Sequence, residues 1–237
     1  MLEFLKLRLR QGTPTSPYPG GEPPFPERFR GLPVVEPAPG GPPFDVGACL
    51  FSPDEEGAGA SGTVRFTPEF RMAASARDGL RSTTGEVELA HALDAEMRRL
   101  FKRSLRLRSV VAGSCGGCEV ELNAMSNVVF DMARFGIQFV ASPRHADGLV
   151  ITGVVNRNMR EALLATYEAT PGPRLVIAVG ACAIAGGPFA GSPEIAEPIG
   201  IPIDLFVPGC PPHPLTVLDG LLRLLGRLPE DQVRAAP

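Results

Sequence analysis

Four cysteines constrain this chain more than any other feature in it. Cys115, Cys118, Cys182 and Cys210 follow the spacing C-x2-C-x63-C-x27-C. That is too long-range for a zinc knuckle, whose halves are usually closely paired cysteines or histidines. Three apolar runs rich in β-branched residues, 108–112, 175–179 and 203–207, come just before the cysteine positions. Parallel strands deliver their carboxyl ends to one edge of a sheet, so three strand ends would carry four thiols to one place. Soft thiolates from scattered loops suit an iron–sulfur cluster, since the protein need only close a tetrahedral shell of sulfur around it. A disulfide, or four unrelated buried cysteines, would be the alternatives.

Five cysteines, an odd number, with no secretory leader point to a reducing compartment and to metal chemistry over disulfides. The net charge of −3 over 237 residues leaves no nucleic-acid footprint. There is no run of about 18 apolar residues that could cross a bilayer, so membrane association would come through partners. The 26 prolines and 27 glycines crowd the first quarter of the chain, where Pro14 to Pro26 and Pro33 to Pro43 leave little room for regular structure. The expected organisation is an extended arm over 1–80, a linking helix over 81–103, a core domain over 104–228 and a tail over 229–237.

In the arm, Met1 to Arg10 is a basic amphipathic segment of ambiguous period, suited to a neighbouring subunit or a membrane surface. Residues 11 to 43 read as a proline-rich strap laid along a partner, with Phe29, Leu32, Val34 and Val35 as its contacts. Apolar positions 89, 93, 97 and 100 predict an amphipathic helix, with acids early and arginines late, on which His91 is a solvated residue. In the core, strands are expected at 107–112, 137–141, 148–152, 174–180 and 203–207, and helices at 119–134, 157–168 and 213–227. Strand and helix alternate with short connections. The fold class is therefore α/β, a small flavodoxin-like and mostly parallel sheet with helices on both faces, plus the Pro/Gly-rich arm.

Two resemblances emerge from particular residues. Phe29-Arg30-Gly31-Leu32-Pro33, Asp45 to Ser52 and Arg65 to Phe70 resemble the two-cluster ferredoxin-like subunit of formate hydrogenlyase and related membrane-bound hydrogenases. There the middle piece begins a C-x-x-C-x-x-C cluster loop, but here Cys49 alone remains and Ser52 replaces the next cysteine. The resemblance implies a degenerate segment that holds no iron and serves docking. The core carries Gly113-Ser114-Cys115-x-x-Cys118-Glu119-x-Glu121, Arg134-Phe135-Gly136-Ile137, Ala141 to Asp147, Val179-Gly180-Ala181-Cys182 and Val207-Pro208-Gly209-Cys210-Pro211-Pro212. It resembles the cluster-bearing small subunit shared by group 4 [NiFe] hydrogenases, formate hydrogenlyase and respiratory complex I.

That second resemblance implies that Cys115, Cys118, Cys182 and Cys210 ligate one [4Fe-4S] cluster facing a large catalytic subunit. The implied protein is an electron-transfer subunit of an oxidoreductase complex, held peripherally on the cytoplasmic side of the membrane by other hydrophilic and membrane subunits. The C-x-x-C pair is of the hydrogenase type, since complex I counterparts usually carry adjacent cysteines. A complex I type NADH-quinone oxidoreductase subunit and a cluster-free scaffold are the alternatives. Around the cluster, Arg144 is expected as a nearby cation on the ligand edge, or else paired with Asp147. His145 and His213 are candidate neighbours, Glu119 a helix cap, and Glu121 a nearby acid. No nucleophile elbow, phosphate loop or acid–base pair is present, so no catalytic residue is expected in this chain alone.

Overall fold

The computed structural model describes residues 2–101, 104–113, 115–195 and 200–228. The expected tail over 229–237, and Ser114 within the first cysteine turn, lie outside the described residues.

The ambiguous leader is a helix, α1 (Leu2–Gln11), with Phe4 and Leu9 largely exposed. Five short strands follow: β1 (Pro33–Pro37), β2 (Phe44–Asp45), β3 (Gly57–Gly59), β4 (Gly62–Phe66) and β5 (Arg81–Ser82). They pair as an antiparallel sheet in the order β1-β4-β3 and as a separate β2-β5 ribbon. From Pro33 onward, then, the N-terminal region is folded. Residues in β4 alternate buried and exposed, and Val64 and Phe66 enclose a small core with Val35 and Cys49. Alternation of this kind is the mark of a half-buried strand.

Residues 12–32 are the extended strap, and they lie on the chain's own core. Ser16 donates its N–H to the Val129 carbonyl, and Arg134 donates to the Ser16 and Tyr18 carbonyls. Phe25 stacks on Phe29 with centroids 4.3 Å apart. Leu32 and Val35, expected to touch a partner, are buried inside this chain.

The linking helix is shorter than its periodicity predicts. Among the described residues of that stretch only α2 (Ala95–Phe101) is helical, because the segment before it donates N–H groups to distant carbonyls: Glu88 to Gly79, Ala90 to Ala73 and Leu93 to Leu224. Asp94 then accepts from the Met97 N–H, a capping bond that sets the start of the helix. Tertiary pairing has overridden a helical pattern.

The core begins with β6 (Leu105–Val111), followed by α3 (Gly117–Ala124), β7 (Ile137–Phe139), β8 (Gly148–Thr152), α4 (Arg157–Ala169), β9 (Leu175–Val179), α5 (Ala181–Ala185), β10 (Leu205–Val207) and α6 (Pro214–Leu224). All neighbouring strands are parallel, in the order β10-β9-β8-β6-β7. Counting strands from β6, that is 2-1-3-4-5, the flavodoxin-like winding. Every residue of β8, β9 and β10 is buried, as a parallel sheet covered on both faces requires. One face packs Val150, Ile177 and Val207 under α6, and the other packs Leu149, Ile151 and Val176 with Leu163 of α4.

Two core helices differ from expectation. α3 stops at Ala124 because the Asn127 side chain accepts the Val129 and Phe130 N–H groups and turns the backbone away. α6 is buried all round. Its outer side is covered by the N-terminal region, with the Gly220 Cα so close to Ala73 that a Cβ there would stand 2.6 Å from the alanine methyl.

Candidate metal centre

Three turns at the carboxyl ends of β6, β9 and β10 carry the four cysteines. Cys115 precedes Gly116, the left-handed N-cap of α3, and Cys118 lies in the first turn of that helix. Cys182 lies in the first turn of α5, directly after β9. Cys210 follows β10 and precedes the proline pair. Backbone bonds tie the last two turns together, with Gly180 N–H donated to the Val207 carbonyl and Ala181 N–H to the Gly209 carbonyl.

The first turn closes on both of the others. A Cβ on Gly180 would stand 2.6 Å from Cys118 Sγ, and one on Gly117 would stand 3.6 Å from Cys115 Sγ and 3.7 Å from the Pro211 ring. The sulfur of Cys118 is therefore packed against the Cys182 turn, and Cys115 lies near the Cys210 turn. Cys118 is buried, Cys182 half-buried, and Cys115 and Cys210 exposed. All four are free thiols.

Their electrostatics show the same gathering. Burial pushes Cys118 up to about 12, with Glu119 and the other three cysteines adding to the rise. Burial also raises Cys182, together with Cys210 and Cys115, and raises Cys210, together with Cys115 and Glu55. Each group in this set makes the next harder to ionise, so four thiolates are favourable here only around a positive centre. A tetrahedral zinc ion would need sulfurs about 3.8 Å apart, given Zn–S bonds near 2.3 Å. Among the described residues no three His, Cys, Asp or Glu side chains are gathered for a single ion. Four thiols spread over three turns are a soft donor set, of the kind that thiophilic metals take.

Gly180 makes a direct test of this packing. It adopts φ +91, and any side chain would collide with the Cys118 sulfur. Gly180→Ala is expected to lose most of the metal bound at these cysteines while keeping the α/β fold. Metal analysis beside far-UV circular dichroism measures both.

The residues expected around the thiols divide. Glu119 accepts a hydrogen bond from the Thr152 hydroxyl at the end of β8 and lies close enough to Cys118 and Cys182 to oppose their ionisation. Its carboxylate thus fastens α3 to the sheet. Glu121, whose carboxyl burial pushes up, lines a cavity of about 370 Å³ with Phe29, Arg30, Phe51, Pro211 and His213. Arg30 Nε and, from a further lining position, Thr216 Oγ1 are buried with no hydrogen-bond partner among the described residues. His213 caps α6, its Nδ1 accepting from Leu215 N–H. The rings of Phe25, Phe29 and Phe130 stand edge-on around it. Burial lowers its pKa to about 4, so the imidazole is neutral at pH 7. Because that value lies below the unfolded one, stability is lost as pH falls from about 6.5 towards 4.

Arg144 and His145 lie elsewhere. They line a groove with Arg106, Asp147 and Pro173, at the amino ends of the strands. The register explains the difference. β7 pairs only with the first residues of β6, Phe139 opposite Leu107, and β8 starts at that same level, Gly148 opposite Leu107. The loop after β7 therefore never climbs to the level of Val111, about four residues or roughly 13 Å higher. Asp147 is held by Arg106 through its backbone N–H and guanidinium, not by Arg144.

Cys49 is buried in the small N-terminal core. Its thiol donates to Glu55 at 3.4 Å and is pushed up by burial. Glu55 and Arg30, close to the Cys210 turn, were missed as site residues. The one sequence signal for Glu55 is its place three residues after Ser52.

Comparison with known proteins bears on this geometry. Residues 115–224 match the family described as NADH ubiquinone oxidoreductase, 20 kDa subunit. The probable membrane-bound hydrogenase subunit mbhJ of Pyrococcus furiosus is 43% identical over 136 residues, covering 56% of this chain and 81% of that one. Formate hydrogenlyase subunit 7 of Escherichia coli is 39% identical over 150 residues, covering 60% of this chain and 56% of its own. An NADH-quinone oxidoreductase subunit of Heliobacterium modesticaldum is 44% identical over 114 residues, covering 47% of this chain and 65% of its own. The matched residues lie in the flavodoxin-like core, where all four cysteine ligands were expected, and this chain belongs to the NADH ubiquinone oxidoreductase 20 kDa subunit family of oxidoreductase-complex subunits.

Proposed function

We propose that the chain relays electrons within a membrane-associated oxidoreductase complex, through one [4Fe-4S] cluster held by Cys115, Cys118, Cys182 and Cys210. The observation that carries this reading is the convergence of three strand-end turns, whose four thiols stand within mutual electrostatic reach. Such a cluster takes up and releases single electrons at a potential set by its surroundings. The chain's own residues supply those surroundings. α3 directs its amino end, where orphan N–H groups favour negative charge, towards the thiols. Glu119 and the Thr152 hydroxyl fix that helix on the sheet. The strap, through Phe25 and Phe29, closes around His213, three residues past Cys210.

The acceptor or donor would be a large catalytic subunit resembling that of hydrogenases, docked where Cys115 and Cys210 are exposed. Val120 and Phe189, close in sequence to Cys118 and Cys182, are 66% and 54% exposed. Apolar side chains exposed beside a charged centre suit a protein interface. Among the described residues no helix is long and apolar enough to cross a membrane, so attachment to the cytoplasmic face would run through other subunits. The C-x-x-C spacing favours that branch over the complex I branch, while relatives of both kinds match the chain.

Anaerobic purification tests the reading. About four irons per chain, with a low-temperature spin signal appearing on reduction, is the expected result. Iron-free protein that still assembles with its large subunit would leave only a scaffold.

A further inference from the structure

The loop from Cys49 to Glu55 is folded around its own carboxylate. Glu55 accepts the Leu50 N–H on both oxygens at 3.0 Å, the Ser52 N–H at 3.0 Å and the Cys49 thiol at 3.4 Å. To bring those donors inward, Phe51 takes φ +55, an uncommon conformation for a bulky residue. Its N–H bonds to Cys49 Sγ at 3.3 Å, and its ring packs on Phe66. Successive N–H groups converging on one point form an anion nest. Positions 49, 52 and 55 keep the spacing of a cluster loop, with serine and glutamate at the second and third places. The nest is filled by a glutamate.

This anion lies beside the candidate metal centre. Phe51 shares the cavity wall with Gly209, Pro211 and Pro212, the residues on either side of Cys210. Two residues before Cys49, the Gly47 backbone approaches Ile184 of α5, the helix that bears Cys182, so closely that a Cβ would stand 2.9 Å from its methyl.

We propose that Glu55 is a positioning residue that holds the reduction potential of the metal centre down, by fixing a negative charge in the Cys49–Glu55 nest next to Cys210. A charge locked by three donors cannot swing away when the centre gains an electron, so its repulsion is felt in full on reduction. The inference rests on the cluster reading above.

Equilibrium redox titration of the full chain, followed by its spin signal, tests both. Glu55→Gln is expected to raise the midpoint, so that at a fixed ambient potential the reduced-to-oxidised ratio rises about tenfold, or about 59 mV for one electron. Glu55→Asp keeps the charge and should stay near the wild-type midpoint. Asp54→Asn neutralises the exposed carboxylate next door and should change the ratio by less than about twofold, since exposed charges are screened. An unchanged midpoint in Glu55→Gln would overturn the proposal. So would equal shifts in Glu55→Gln and Glu55→Asp, which would mean that loop shape and not charge sets the potential. Wild-type protein with no iron would remove the cluster reading, and the proposal with it.

Discussion

Cys210→Ser protein purified without oxygen is expected to lose the spin signal of the native centre and most or all of its iron, whereas Cys49→Ser protein keeps both. The difference follows from where the two sulfurs point. Cys210 sits in an exposed turn joined to the Cys182 turn by backbone bonds, and its proline neighbour lies against the Cys115 turn. In the proposed reading its thiolate is one corner of a four-sulfur shell. A serine hydroxyl is a harder and far less acidic ligand, so the corner opens. Cys49 is committed elsewhere, buried against Val64 and Phe66 and donating to Glu55. Removing its sulfur costs a methyl-sized contact in a small core and should leave iron content within error. Cys118→Ser and Cys182→Ser should behave like Cys210→Ser. Iron retained in any of these three, or lost in Cys49→Ser, would show that the ligand set is drawn wrongly.

The shared edge of the cysteine turns could be read from sequence because each turn follows a strand, and two of the three strands, β9 and β10, are buried and apolar throughout. Runs such as Leu175–Val179 announce a covered parallel strand, and parallel strands share an edge. Arg144 and His145 could not be placed by the same rule. Their position depends on the register of β7, which pairs with only the lower part of β6, and register is a tertiary property that loop sequence does not carry. The helix expected over residues 81–103 was cut short for a related reason: Leu89 satisfies a helical period, but its neighbours Glu88 and Ala90 are bonded to the arm through the Gly79 and Ala73 carbonyls. The arm itself hid its strands behind proline and glycine, although Val64 and Phe66 alternate with Thr63 and Arg65. Glu55 offered only its spacing, three residues after Ser52. Only the folded loop shows that three donors converge on it.

The largest effect on stability should come from a buried charge on α6, outside the cysteine turns. Asp219 of α6 is fully buried, accepting the Tyr18 hydroxyl at 2.5 Å and Arg223 Nε at 3.0 Å. Burial first, and Asp219 second, push the Tyr18 phenol upward, so it remains a donor across any workable pH. Asp219→Ala would take from a buried guanidinium and a buried phenol the acceptor they share. Breaking a buried pair in this way costs about 3–5 kcal/mol. For a chain of this length that amounts to a fall of roughly 6–20 °C in Tm, read by thermal denaturation. Tyr18→Phe leaves the Asp219–Arg223 pair intact and should cost only about 1–2 kcal/mol. Replacing both charges, as Asp219→Leu with Arg223→Met, should recover much of the loss, because well-packed apolar groups often match a buried ion pair. Tyr18 is also where the strap is pinned to α6, shortly before Phe25 begins to close around His213. Asp219→Ala should therefore make residues 12–32 accessible to limited proteolysis at temperatures where the parallel sheet still gives its native circular dichroism. Strap and sheet melting together, with no early cleavage, would mean that Tyr18 is not what holds the strap down.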